Sequence, residues 1–122
     1  MERSVFLAGA AAFCGCPSTI VPPAGDGRAK IVAVCFDRRV YKWGDLARVA
    51  VVTSTETSLV EMRVVSYGRA LTRRRPGLFE GVYRMPFLPP LLDRLHVELP
   101  FRFIARADTG PAAELQQIVR LD

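Results

Sequence analysis

From Ile31 to the last residue, apolar side chains recur mostly at every second position, in runs of strand length separated by turn residues. Successive side chains of a strand point to opposite faces, so this period predicts strands with one packed and one wet face. Ala47, Val49 and Val51 share a face within Ala47 to Thr53. Val60, Met62 and Val64 share one against Glu61 and Arg63, and Phe79, Tyr83 and Met85 share one against Glu80 and Arg84. Phe101, Phe103 and Ala105 alternate with Arg102 and Arg106, while Ala113, Leu115, Val119 and Leu121 lie on one side of the final segment. With Ile31 to Phe36 and a short run near Arg69 to Thr72, this makes about seven strands with turns every dozen or so residues. Such spacing predicts an all-β, antiparallel β-sandwich. Pro100 lacks an amide proton, so the strand through Phe101 should begin near Phe101, or hold the proline at a bulge or unpaired edge. Helix signals are confined to a turn in Pro89 to Leu95 and to AAELQQIV at Ala112 to Val119, where continued alternation favours strand.

The N-terminus follows a different pattern. Residues 1–16, MERSVFLAGAAAFCGC, place one basic residue, Arg3, before an apolar stretch from Val5 to Phe13, then small residues and cysteine. That is the anatomy of a secretory leader, too short to span a bilayer as a helix. Phe13-Cys14-Gly15-Cys16 is similar to the lipobox of bacterial lipoproteins, which makes Cys16 the candidate lipidation site. Phe13 and Cys14 depart from the Leu and small residue usual there. Residues 17–30, with three prolines and two glycines, read as a flexible linker, and residues 31–122 as the folded domain. With Cys16 lipidated and Cys14 removed, Cys35 would be left alone in an apolar strand as a small hydrophobe. There is no CxxC, and neither a metal nor a cofactor is called for.

Composition qualifies this picture without redirecting it. Fifteen arginines and two lysines against twelve acids give a net charge of +5 in 122 residues. A basic surface can attract phosphate or anionic lipid. The Arg, Ala, Gly, Val and Pro bias and the lack of a reading element argue against a nucleic-acid module. The densest charge, Arg73-Arg74-Arg75, is expected on a loop between antiparallel strands, as a solvated turn or an anionic-surface contact. Met85 to Leu92, MPFLPPLL, is expected to fold over one end of the sandwich. If it stands exposed instead, Phe87, Leu88, Leu91 and Leu92 are its partner contacts. The single histidine, His96, reads as a packing residue, and no G-x-S-x-G elbow is present.

Three stretches carry a resemblance. Trp43-Gly44-Asp45-Leu46 leads into a valine strand, Pro76-Gly77-Leu78-Phe79-Glu80-Gly81-Val82-Tyr83 is followed by Pro86, and Phe103-Ile104-Ala105-Arg106-Ala107-Asp108-Thr109-Gly110 precedes the last strand. Together they resemble bacterial immunoglobulin-like repeats over residues 31–122. The resemblance implies an immunoglobulin-like sandwich in a periplasmic or surface location, serving adhesion, spacing or protein contact, with no catalytic residues to carry over. The proline-rich stretch from Pro86 to Leu92 departs from that pattern. The leading expectation is therefore a non-enzymatic exported binding or accessory domain of the cell envelope that contacts another envelope protein, with or without a lipid anchor. The alternatives are an arginine-rich domain that binds nucleic acid or an anionic surface, and a small hydrolase built from scattered acids such as Asp37, Asp45, Glu61, Glu80, Asp93 and Glu114.

Overall fold

Alternation becomes pleat in the computed structural model, which describes residues 10–12, 27–65, 67–87 and 97–122. Ten strands form among the described residues: β1 (Ala10–Ala12), β2 (Ile31–Phe36), β3 (Val40–Tyr41), β4 (Leu46–Thr53), β5 (Thr57–Val64), β6 (Tyr67–Ala70), β7 (Thr72–Arg75), β8 (Leu78–Arg84), β9 (Val97–Ala107) and β10 (Ala113–Leu121). They build two five-stranded sheets, ordered β1-β2-β4-β8-β7 and β3-β10-β9-β5-β6. Pairing is antiparallel except for β1 on β2 and β3 on β10. The two-layer all-β architecture expected from the sequence is present.

The core lies between the sheets, filled by the alternate residues read from the sequence. Ala47, Val49 and Val51 from one sheet face Val60, Met62, Val64, Phe101, Phe103 and Ala105 from the other, all buried. Phe101 is the hub. Its ring meets Phe36 edge-on at 5.2 Å and Tyr83 at 5.4 Å, and stacks with Phe103 at 6.4 Å between centroids. Gly81 makes room for the buried Leu71 side chain, which a Cβ there would meet at 2.5 Å.

Several expectations need correction. The run near Arg69 to Thr72 is two strands: β6 belongs to the second sheet and β7 to the first. Leu71 lies between them, buried, with its amide bonded to the Val60 carbonyl at 2.8 Å. Consequently Arg73, Arg74 and Arg75 stand on a strand, not on a loop. A tight turn at Pro76-Gly77, with Gly77 at φ 84°, folds that strand onto β8. Strand β9 starts at Val97 and runs through Pro100, so of the two expected outcomes, a start near Phe101 or a proline on an unpaired edge, it is the second that is found. The proline is tolerated because it lies one residue past the last β5 partner, Phe101, where among the described residues only β10 still flanks the strand.

The expectation of one wet face per strand also fails in the first sheet. The outward residues Cys35, Ala50, Val52 and Leu78 form a second buried cluster. The unbroken run Val49 to Val52 is the sequence signature of a strand packed on both faces. Residues at the end of the expected linker are fixed rather than free. Ala29 joins the core, Ser54 Oγ donates to the Arg28 carbonyl at 2.8 Å, and it accepts from the Lys30 amide at 3.1 Å. Three residues of the expected leader, Ala10 to Ala12, pair with Ala33 to Cys35 as an edge strand.

Candidate functional site

The outward face of the first sheet and its β7 edge bring together the basic residues singled out in the sequence. A groove of about 630 Å³ crosses this face from β7 to β2. Its floor includes Ala50 and Val82, and its walls carry Arg48, Arg69, Thr72 and Arg74 together with Asp37 and Glu80. The alternation of β4 places Arg48 outward between core residues Ala47 and Val49, and that of β8 places Glu80 and Val82 outward beside Phe79. Because Thr72 pairs with Glu80 in register, β7 forms one wall of the groove, with all four of its residues exposed.

Both acids in the groove already have partners. Asp37 Oδ1 accepts from the Tyr41 hydroxyl at 2.5 Å and from the Arg48 amide at 3.1 Å. The Tyr41 hydroxyl also accepts from the Arg38 amide at 3.1 Å, which ties the turn between β2 and β3. Burial, reinforced by the bond to Asp37, pushes the Tyr41 phenol well above its ordinary pKa. Glu80 meets Arg74 at 3.2 Å, a solvent-exposed pair of small energetic weight. Asp45 is held similarly: its carboxylate takes the Arg38 guanidinium at 2.9 Å and the Lys42 amide at 2.9 Å, shaping the turn into β4. These carboxylates serve as turn caps and ion-pair partners, not as a facing pair. Among the described residues, no group of three His, Cys, Asp or Glu side chains could hold a metal ion.

The outer face of the second sheet differs in kind. There Arg102 pairs with Glu114 at 3.4 Å and Arg63 with Glu61 at 3.6 Å. On the groove side, no carboxylate among the described residues pairs with the guanidinium of Arg48, Arg69 or Arg73. The sequence showed the Arg73 to Arg75 run but not its convergence with Arg48 and Arg69. That convergence depends on the chain crossing between sheets at Leu71, and on β4 and β8 pairing side by side.

The other predicted contacts are divided. Met85 is buried, whereas Phe87 is 76 % exposed and lies over Gly44, where a Cβ would come within 2.7 Å of its ring. The Gly44 amide donates to the Pro86 carbonyl at 2.9 Å, which secures the start of this segment. The expected burial of the stretch therefore holds for Met85 and fails for Phe87. Leu88, Leu91, Leu92 and His96 lie outside the described residues, as does Cys16.

Cys35 is buried at the outward face of β2, but it is not left alone: it is disulfide-bonded. The chain's other cysteines, Cys14 and Cys16, fall outside the described residues. No protein-family model and no curated protein sequence matches this chain.

Proposed function

We propose that the chain is an immunoglobulin-like binding or accessory domain of the cell envelope, exported and non-enzymatic, which acts by contact with another envelope protein. The observation that carries this reading is the strand order. In the first sheet β2, β4, β8 and β7 follow the order A, B, E, D of immunoglobulin domains. In the second, β10, β9, β5 and β6 follow G, F, C, C′, with β3 added beside β10. The match is one of topology. Cys35 lies on the first strand of that order rather than on B or F, and Trp43 precedes B rather than sitting on C.

Export is supported by the disulfide at Cys35, since such bonds persist mainly in oxidising compartments. This bears on the lipid anchor. Lipobox processing would remove residues 1–15 and alkylate the Cys16 thiol, leaving Cys35 no partner in its own chain. The cross-linked form and the form lipidated at Cys16 are thus mutually exclusive for one molecule, and we favour the cross-linked form.

The test is fractionation of cells making the full chain, with protease added to spheroplasts. The proposal predicts recovery with the envelope and cleavage by external protease. Recovery only from the soluble cytoplasm contradicts it and favours nucleic acid. In that case affinity for DNA or RNA should fall linearly with salt on logarithmic axes.

A further inference from the structure

We propose that the β7 edge of the first sheet accepts an extended acidic segment of a partner protein. The segment would add as a strand beside β7 and seat its carboxylates on Arg73 and on the groove arginines Arg48 and Arg69. The inference rests on the binding-domain reading and names the surface and the class of partner.

The backbone argument identifies a peptide. Among the described residues, strand β7 pairs with β8 alone and ends its sheet, and its side chains are exposed. An edge of this kind presents unpaired amide and carbonyl groups that another strand can satisfy, whereas a lipid headgroup or a nucleic-acid backbone cannot continue the ladder.

The charge argument identifies an acidic one. Thr72 shares the groove side with Glu80, and Arg74 also lines the groove, while Arg73 pairs in register with the inward-facing Phe79. Successive side chains of an added strand would therefore meet guanidinium groups on both sides. Arg48 and Arg69 extend the positive wall inward, and among the described residues no carboxylate pairs with either. Where the opposite sheet face sets Arg63 and Arg102 against its own glutamates, this side leaves Arg48, Arg69 and Arg73 without a carboxylate among the described residues, while Arg74 keeps Glu80. Edge arginines also discourage pairing with like-charged copies of this chain, so the same residues select for an acidic partner over self-association. The groove volume of about 630 Å³ falls within the range of ligand sites.

The test uses the full chain and a fluorescent peptide of alternating Glu and Val, compared with three probes. These are its Lys-Val counterpart, the same Glu-Val peptide N-methylated at alternate amides, and vesicles of phosphatidylglycerol. The variants are Arg73→Glu/Arg74→Glu at the edge and Arg102→Glu on the opposite face, each checked by thermal melting for a retained fold. The proposal predicts saturable binding of the Glu-Val peptide only. The edge variant should weaken it by about tenfold or more, Arg102→Glu should leave it within about twofold, and N-methylation should abolish it. Binding that survives N-methylation, or equal loss on Arg102→Glu, overturns strand addition in favour of diffuse attraction. Binding to vesicles alone assigns the arginines to lipid and overturns the proposal, as does no binding at millimolar peptide. The envelope location of the wild type, measured in parallel, keeps this outcome separate from the broader reading. An envelope protein that ignores the peptide loses the β7 site alone.

Discussion

Truncating Phe101 to alanine tests whether the two sheets share one core. The ring is fully buried and touches Phe36, Tyr83 and Phe103, so it bridges the first and second sheets at the centre of the sandwich. Removing a buried phenylalanine costs about 3–5 kcal/mol, through lost transfer energy and the cavity left behind. The edge-on contacts with Phe36 and Tyr83 place this site toward the upper end, because such pairs add about 0.5–1.5 kcal/mol beyond burial. Domains of this size are stable by only about 5–15 kcal/mol, so the loss is a large share of the total. In urea, with a slope of about 2 kcal/mol per M, the midpoint should fall by roughly 2 M with an unchanged slope. Phe101→Leu, which keeps most of the volume, should fall by less than half as much. A shift below about 0.5 M for the alanine variant would refute the account, because it would mean that Phe101 does not join the sheets.

Ser54→Ala removes the hydroxyl that accepts from the Lys30 amide, bonds the Arg28 carbonyl and meets Thr57 Oγ1 at 3.0 Å. It should cost about 1–3 kcal/mol by urea melting and increase proteolysis near Arg28. Tyr41→Phe should cost about 1–2 kcal/mol at neutral pH through loss of the bonds to Asp37 and Arg38. Because the folded phenol pKa is raised, protein in the folded state holds that proton to higher pH than unfolded protein does. The wild-type advantage should therefore be complete below about pH 10 and decline as pH rises beyond it, as paired melts of the two proteins would show. Val65 is a β-branched residue at φ 55° and 82 % exposed in the turn after β5. Val65→Asn should raise stability by roughly 0.5–1 kcal/mol, and an unchanged or lower melting temperature would contradict a left-handed backbone there.

The sequence was most informative where one face of a strand is dry and the other wet. Val60, Met62 and Val64, and Phe101, Phe103 and Ala105, fall inside as their period requires, and β2 and β10 have the expected limits. It was least informative where a long-range event decides the local outcome. Leu71 looks like one more apolar residue in a basic stretch, yet its insertion between the sheets splits that stretch into β6 and β7 and turns a supposed loop into a sheet edge. Arg48 carries no local signal that it will share a groove with Arg69 and Arg74, since it is the pairing of β4 with β8 that sets them together. Cys35 sat in an apolar run that fits a buried thiol equally well, and composition alone could not reveal its cross-link. β5 stops at Val64 because the positive φ of Val65 breaks the pleat, a turn preference that valine does not advertise.

The most direct test of the central claim is the state of Cys35 in protein recovered from fractionated cells, read by intact mass and by peptide mapping after alkylation without reductant. The account predicts envelope protein in which the Cys35 peptide resists alkylation and is joined to a peptide containing Cys14 or Cys16. A free Cys35 thiol together with a diacylglyceryl group on Cys16 would keep the envelope location and replace the cross-linked form with the anchored one. A free thiol in soluble cytoplasmic protein that still begins at Met1 would contradict the account.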